Sequence, residues 1–440
     1  MTLFDPLIAA LAEIRPVRHS GRISALNAGT VECHGLSEHA RLGDLVRITG
    51  RRGALGGELI ALGNHGAVVL PDAPLDGLAL GDRVEHLGRN TIAPADSWVG
   101  RIIDAYGDPL DGRPLARGSQ QRALRAAPPP AISRRRMGPR LRTGLDVFNT
   151  VLPLVRGQRL GLFAGSGVGK TKLLGQLARE VEADVVVLAL VGERGRELRD
   201  FTEDTLGADG LARSVVVTAT SDQSPLARRR AALTAMSVAE HFRDQGRHVL
   251  FLCDSVTRFA EAHREIALSA GESASLRGFP PSVAHQIMAL AERAGPGSDS
   301  PATDGQGDIT AIFTVLVAGS DMEEPVADIL RGVLDGHVVL DRAIAERGRF
   351  PAVDLLRSVS RSLPGAANAA ENAQITEIRR LVGAWERAEM MVQAGLYAQG
   401  SDPLVDRAIK LWPRIDAFMT GTGAASVADS FARMARALDG

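Results

Sequence analysis

The chain has 440 residues, with 51 lysines and arginines against 52 aspartates and glutamates, and 45% of its residues are hydrophobic. That length allows two or three domains around a large core, and a net charge of -1 gives no global argument for a nucleic-acid or membrane partner. Two well-separated cysteines, Cys33 and Cys253, form neither a metal spacing nor a disulfide framework; no run approaches a membrane span, and no basic-then-apolar leader opens the chain.

In chain order, Leu3, Phe4, Leu7, Ile8, Leu11 and Ile14 fall at helical spacing before Pro16, which predicts an amphipathic helix over 1–16. Six short β-like runs follow at 21–26, 30–33, 45–49, 58–62, 67–70 and 83–87, split by glycines, and predict a small closed barrel over 17–92. Between 17 and 97 there is no Phe, Tyr or Trp. The barrel therefore lacks the platforms on which nucleic-acid-binding barrels stack bases, which argues against a ring-shaped RNA translocase. A loop-rich link leads through Pro128-Pro129-Pro130 to a basic stretch at 134–142, read as a solvated linker. Over 93–365, apolar runs at 185–191, 215–217, 249–253 and 312–317 alternate with helical segments, as in a mainly parallel sheet covered on both faces. Cys253 reads there as a small buried hydrophobe. The Gly/Ser/Asp-rich segment 296–307 predicts a mobile surface loop. Over 366–440 the chain is Ala-rich and helical, with Ile375, Ile378, Leu381, Val382 and Trp385 as a buried stripe. The ten histidines show no ligand spacing, and His337 reads as structural.

The most informative octet is Ala164-Gly165-Ser166-Gly167-Val168-Gly169-Lys170-Thr171, set between a strand-like run at 160–163 and a helix-like run at 173–177. Its glycines let the backbone curl so that successive N–H groups face phosphate oxygens, and the following helix adds its positive end. Lys170 is then placed for the β- and γ-phosphates and the Thr171 hydroxyl for magnesium. Only three lysines, Lys170, Lys172 and Lys410, stand among the 51 basic residues. A chain that otherwise writes arginine has kept a slim ammonium where a phosphate is expected. The first position, Ala164, departs from the usual glycine.

Three further places bear on hydrolysis. The run at 249–253 ends in Asp254, where phosphate-loop enzymes carry the acid that holds magnesium. Glu193 follows another core strand, and the carboxyl ends of parallel strands face the ligand crevice. A carboxylate there can orient and deprotonate the attacking water, and Arg194 can meet the γ-phosphate. The alternative is a surface ion-pair cluster of Glu193, Arg194, Arg196 and Glu197. Phe350, before Pro351, offers an adenine a stacking face, and Arg361 is either an arginine finger or a solvated loop residue.

Taken together, the octet, the run Gly192-Glu193-Arg194-Gly195-Arg196-Glu197, the strand ending at Asp254 and the stretch 351–360 resemble the rotary ATPase α/β-subunit family over essentially the whole chain. Within that family the likeness is to the ATPases of type III export, above all the flagellum-specific branch. It rests on the phrases at 163–170, 192–201, 241–246, 254–259, 264–268 and 334–340, and Ala164 matches that branch. The resemblance implies a RecA-like α/β phosphate-loop core with an N-terminal β-barrel and a C-terminal helical domain, hydrolysing ATP with Mg2+. It implies a homo-hexamer whose sites lie between subunits, with Lys170, Thr171, Glu193, Arg194 and Asp254 from one copy and Arg361 from the next. Phe350 and Tyr397 are its adenine-facing aromatics. Glu193 separates catalytic from non-catalytic ring subunits. Implied partners are a regulatory stator protein at the N-terminal helix, a central stalk-like export protein, the export gate and chaperone–substrate complexes, with a cytoplasmic site at the inner-membrane export apparatus. A virulence-type (injectisome) secretion ATPase carries the same active-site motifs and stays open as the alternative. Two departures, the absence of Pro-Pro-Ala-Thr at 271–278 and a longer loop at 296–307, weaken inferences about the central partner only.

Overall fold

The structure, a computed structural model, describes residues 17–439 except 28, 65, 300–304 and 318–321. The helix expected over 1–16 lies outside the described residues. Strands β1 (Ser20–Leu26), β2 (Val31–His34), β3 (Leu45–Gly50), β4 (Gly53–Gly63), β5 (Gly66–Pro71) and β6 (Arg83–Gly88) close into a barrel in the order β1-β2-β5-β4-β3-β6. Alternation along the strands sends one set of side chains inward. Ile23, Val31, Cys33, Val46, Ile48, Leu59, Val69 and Val84 are each 2% exposed or less.

The barrel is fastened to the rest of the chain by charge more than by apolar contact. Arg229, on the helix Pro225–Asp244, donates to both Glu58 carboxylate oxygens at 2.6 and 2.7 Å, and Arg125 adds a bond at 3.2 Å. The apolar part of the junction is small, with Leu70, Leu226 and Ile266 buried together.

A two-stranded ladder of β7 (Thr91–Ile92) and β9 (Arg122–Ala123) leads into the core. There β8 (Arg101–Asp104), β10 (Arg159–Ala164), β11 (Val185–Glu193), β12 (Ser214–Thr220), β13 (Val249–Asp254), β14 (Ile309–Leu316), β15 (Gly336–Leu340) and β16 (Val353–Ser360) form one sheet. Its order is β16-β15-β10-β14-β13-β11-β12-β8. Every neighbouring pair is parallel except β15 and β16.

Helices cover both faces. They are α1 (Lys170–Glu180), α2 (Pro225–Asp244), α3 (Val256–Ser269), α4 (Pro281–Glu292), α5 (Pro325–Val333), α6 (Ala369–Gln393), α7 (Pro403–Met419) and α8 (Val427–Leu438). β11 explains the sandwich. Val185, Val187, Ala189 and Val191 join the cluster of α2 to α5, whereas Val186, Leu188 and Leu190 join that of α1, α6, α7 and α8. A strand wetted on neither face reads as a continuous apolar run.

The structure departs from the sequence expectations in three places. β14 begins three residues earlier than the run at 312–317 because its threonines have buried partners: Thr310 Oγ1 lies 2.7 Å from His248 Nε2. The basic stretch is no solvated linker. Arg135 donates to Asp308 at 2.6 Å, Arg134 lies 3.5 Å from Glu292, and the Arg140 side chain is 7% exposed and bonds the Ala366 carbonyl at 2.6 Å. Of the 296–307 segment, expected as a mobile surface loop, residues 300–304 lie outside the described residues, and the described ends are anchored. Ser298 and Gln306 are buried, and the carbonyls of Gln306 and Gly307 accept from Arg135. Further on, the Ile375, Ile378, Leu381 and Val382 stripe is buried in α6, with Trp385 stacked on Trp412 at 4.8 Å. Cys253 is fully buried, and His337 bonds the Arg357 carbonyl.

Candidate active site

β10 ends at Ala164, and the chain then turns through a loop that only glycine permits at two points: Gly167 has φ +79° and Gly169 φ +84°. Val168 is buried beneath the loop, while Ser166 and Gly167 are exposed and Gly165 is half-buried. Gly169 is the N-cap of α1 and offers no side-chain cap, so the first N–H groups of the helix are left for an anion. The Thr171 side chain in the first turn is exposed to solvent.

Two neighbouring strands aim acids at the same point. Leu190 of β11 lies opposite Asp254, the last residue of β13. Beyond it the register breaks between Val191 and Glu193, with Gly192 at φ +71°, which re-aims the end of the strand. Lys170 Nζ sits 2.5 Å from Asp254 Oδ1 and 3.7 Å from Glu193 Oε1. Burial opposes the ammonium charge, but the two carboxylates outweigh it and raise the Lys170 pKa. Burial, then the Asp254 charge, push Glu193 up to about 7. A carboxyl poised there matches what a general base working near neutrality requires.

Sequence reasoning missed two residues beside this triangle. Thr314 Oγ1 donates to Asp254 Oδ1 at 2.7 Å from within β14, so that oxygen accepts two bonds. The available signal was a hydroxyl, at Thr314, inside an otherwise apolar run. Arg258 flanks Gly192 so closely that an added Cβ there would come within 2.9 Å of it, and it pairs with Glu261 at 2.8 Å. Its packing against Gly192 and the pull of the Glu193 charge on its guanidinium mark it, not its position in the sequence.

Phe350 rests on the other side of the loop. A Cβ added at Gly169 would meet its ring at 2.9 Å, yet the side chain is 48% exposed, so a face is open. Its segment is tied to the C-terminal helices by Arg347–Glu389 at 2.5 Å and Arg349–Asp416 at 3.2 Å. Tyr397, in the turn after α6, has its hydroxyl oxygen 2.9 Å from Asp406 Oδ1 and 3.1 Å from the Asp402 carbonyl, which share its one proton.

The two arginines stand apart from the triangle. Arg194 N-caps a short helix (Gly195–Asp200), and its side chain, 76% exposed, faces Glu197 at 3.6 Å. That is half of the surface cluster expected as the alternative; Glu193 belongs instead to Lys170. Exposed pairs are worth about 0–1 kcal/mol, so Arg194 is easily released. Arg361 is governed by strand direction. In the ladder, Ala164 pairs with Leu340 and Leu340 with Val353, whereas Ser360 pairs with Gly336 at the far end. Gly336 and Leu340 stand four steps apart along β15, with a register break in β16 between them, which puts the two ends of the ladder roughly 13 Å apart at about 3.3 Å per residue. Arg361 therefore lies at the opposite end of the sheet from its own Lys170, exposed and bonded to the Arg331 carbonyl at 3.1 Å.

This geometry is that of a phosphate-loop nucleotide hydrolase with its acids at the carboxyl ends of parallel strands. Residues 144–360 match the ATP synthase alpha/beta family, nucleotide-binding domain, and residues 367–436 match the T3SS EscN ATPase C-terminal domain. A flagellum-specific ATP synthase of Caulobacter vibrioides is 44% identical over 438 residues, covering 98% of each chain. The chain belongs to the ATP synthase alpha/beta family and is an ATP hydrolase. A type 3 secretion system ATPase of Xanthomonas euvesicatoria is 42% identical over 379 residues, covering 86% of this chain and 84% of that one. Among solved structures, the assembled ATPase EscN of enteropathogenic E. coli, in complex with its central stalk EscO, matches with a TM-score of 0.85 and 34% identity over 95% of this chain and all of the other.

Proposed function

We propose that the chain is the ATPase of a flagellar type III export apparatus, working as a homo-hexamer whose hydrolysis prepares export substrates and releases their chaperones. The observation that carries the catalytic part is the meeting of Lys170, Glu193 and Asp254 at the N-terminus of α1. The phosphate chain lies along the N–H groups of the 165–169 loop, with Lys170 moving from Asp254 onto the β- and γ-phosphates. Glu193 orients the attacking water and takes its proton. Arg194, freed from Glu197, meets the γ-phosphate, and Phe350 stacks on the adenine, with Tyr397 as a second aromatic face.

A hydroxyl and a carboxylate are the hard oxygen donors that Mg2+ prefers, and the described residues hold no cluster of three or more His, Cys, Asp or Glu to bind a metal unaided. Thr171 and Asp254 would hold the ion with the nucleotide, and it would supply charge neutralisation at the phosphates.

Because Arg361 is remote from its own loop, it acts on the site of the next copy in the ring. The division into 17–92, 93–365 and 366–440 belongs to the same reading. So do a stator protein at 1–16, a central stalk-like protein, the export gate and a cytoplasmic position at the inner membrane. No helix among the described residues is long and apolar enough to cross a membrane. Measuring specific ATPase activity against protein concentration tests the ring: a steep rise is expected, and constant activity down to the monomer rejects the shared site.

The likeness to the Xanthomonas enzyme and to EscN supports a second reading, service to an injectisome. Deleting the gene decides: loss of filaments supports the flagellar assignment, and loss of effector secretion with intact motility supports the other.

A further inference from the structure

A cavity of about 700 Å3 opens between the barrel and the core, and no phosphate-loop residue lines it. Arg18, Arg47, Arg89, Arg117 and Arg230 face it against two carboxylates, Glu85 and Asp108, an excess of three positive charges. The carboxylates are already engaged. Arg18 bonds Glu85 at 2.9 Å with Arg47 4.0 Å from its other oxygen, and Asp108 lies 3.7 Å from Arg117. His86 in the same wall is held by Asp44 at 2.7 Å.

Two arginines are left without a carboxylate. Arg89 is exposed and makes no ion pair or hydrogen bond among the described residues. Arg230 is 5% exposed, and its donors reach only neutral oxygens: the Ala105 carbonyl at 3.0 Å, the Thr91 carbonyl at 3.4 Å and the Asn90 side chain. Its guanidinium lies 4.6 Å from the centre of the Tyr106 ring. Glu58, Asp72 and Asp104 act on it only through space, with Glu58 held by Arg229 and Arg125 and Asp104 by the N–H groups of Tyr106 and Asp108. A buried guanidinium with no carboxylate within ion-pair distance, beside an exposed arginine with no partner among the described residues, suits a phosphate.

We propose that this cavity is a second anion site, which takes a phosphate-bearing small molecule through Arg89 and Arg230 while Leu87 and Ile92 supply an apolar wall. Its volume falls within the usual range for small-molecule sites, roughly 300–1,000 Å3. A ligand there joins the chain just after β6 to helix α2, so it braces the barrel against the core at a junction with little apolar contact of its own.

The test is calorimetric titration of magnesium-free inorganic pyrophosphate into the full chain carrying Lys170→Ala, which strips the phosphate loop of its cation. Saturable binding is expected to persist, to weaken with rising salt, and to fall at least about tenfold when Arg89→Ala is added. Arg89 is exposed, and an unchanged circular dichroism spectrum checks that the fold survives. Binding seen only with Lys170 present assigns all of it to the phosphate loop and overturns the proposal, as does binding indifferent to Arg89→Ala or no binding at all. Displacement by a polyglutamate peptide at lower concentration than by pyrophosphate assigns the surface to a protein partner and equally overturns it.

Discussion

The two halves of the catalytic machinery differ in how finished they are. The binding half is closed within one chain: Lys170 is clasped by Asp254 and Glu193, Thr314 holds Asp254, and Phe350 lies against the loop. The other half is exposed. Arg194 leans on Glu197, and Arg361 donates to a backbone carbonyl at the far end of the sheet. Under the proposed roles, affinity for nucleotide would be a property of the subunit and rate a property of the assembly.

The sharpest way to break that division is Arg361→Ala. Assembled activity should fall by about 10³–10⁵, the worth of a transition-state arginine, with nucleotide affinity of the isolated subunit unchanged. Equal loss in dilute and concentrated protein would mean that Arg361 serves its own site or none. Glu193→Gln removes the base from the closed half and should lower kcat by about 10²–10⁴ without weakening nucleotide binding. Retained turnover would move the water-activating role elsewhere, with Arg258 and its partner Glu261 the next to examine.

Phe350→Ala should weaken nucleotide binding by about tenfold or more, since a base stacked on an aromatic is worth about 1–3 kcal/mol, while leaving kcat nearly untouched. The smallest effect concerns the frame beneath both halves. Burial holds the His248 pKa down at about 4, below its ordinary value of 6.5. The unfolded chain therefore binds the extra proton between those values, and stability drops as pH falls from 6.5 towards 4. His248→Gln should flatten that limb in urea midpoints measured across the window, and an unchanged slope would trace the acid sensitivity to other groups.

The closed half was largely legible in the sequence because its parts are local. A glycine-spaced octet between a strand and a helix, and acids at the ends of apolar runs, carry their chemistry in their spacing. The barrel was legible for the same reason, in alternation and glycine punctuation. What the sequence withheld is tertiary. Thr314 matters only because β14 lies beside β13, and the arginines at 134–142 look solvated until Asp308, Glu292 and Ala366 are brought to them. The remoteness of Arg361 depends on β16 alone running against its neighbour, a reversal that no periodicity announces.

That single reversed edge strand has a cellular consequence. It begins near the loop that Phe350 lies against and runs on into Arg361 at the far end, so under the proposed role of Arg361 each molecule would carry pieces of two different catalytic centres. Copies outside their ring would then load fuel without burning it, and geometry alone would hold down wasteful consumption.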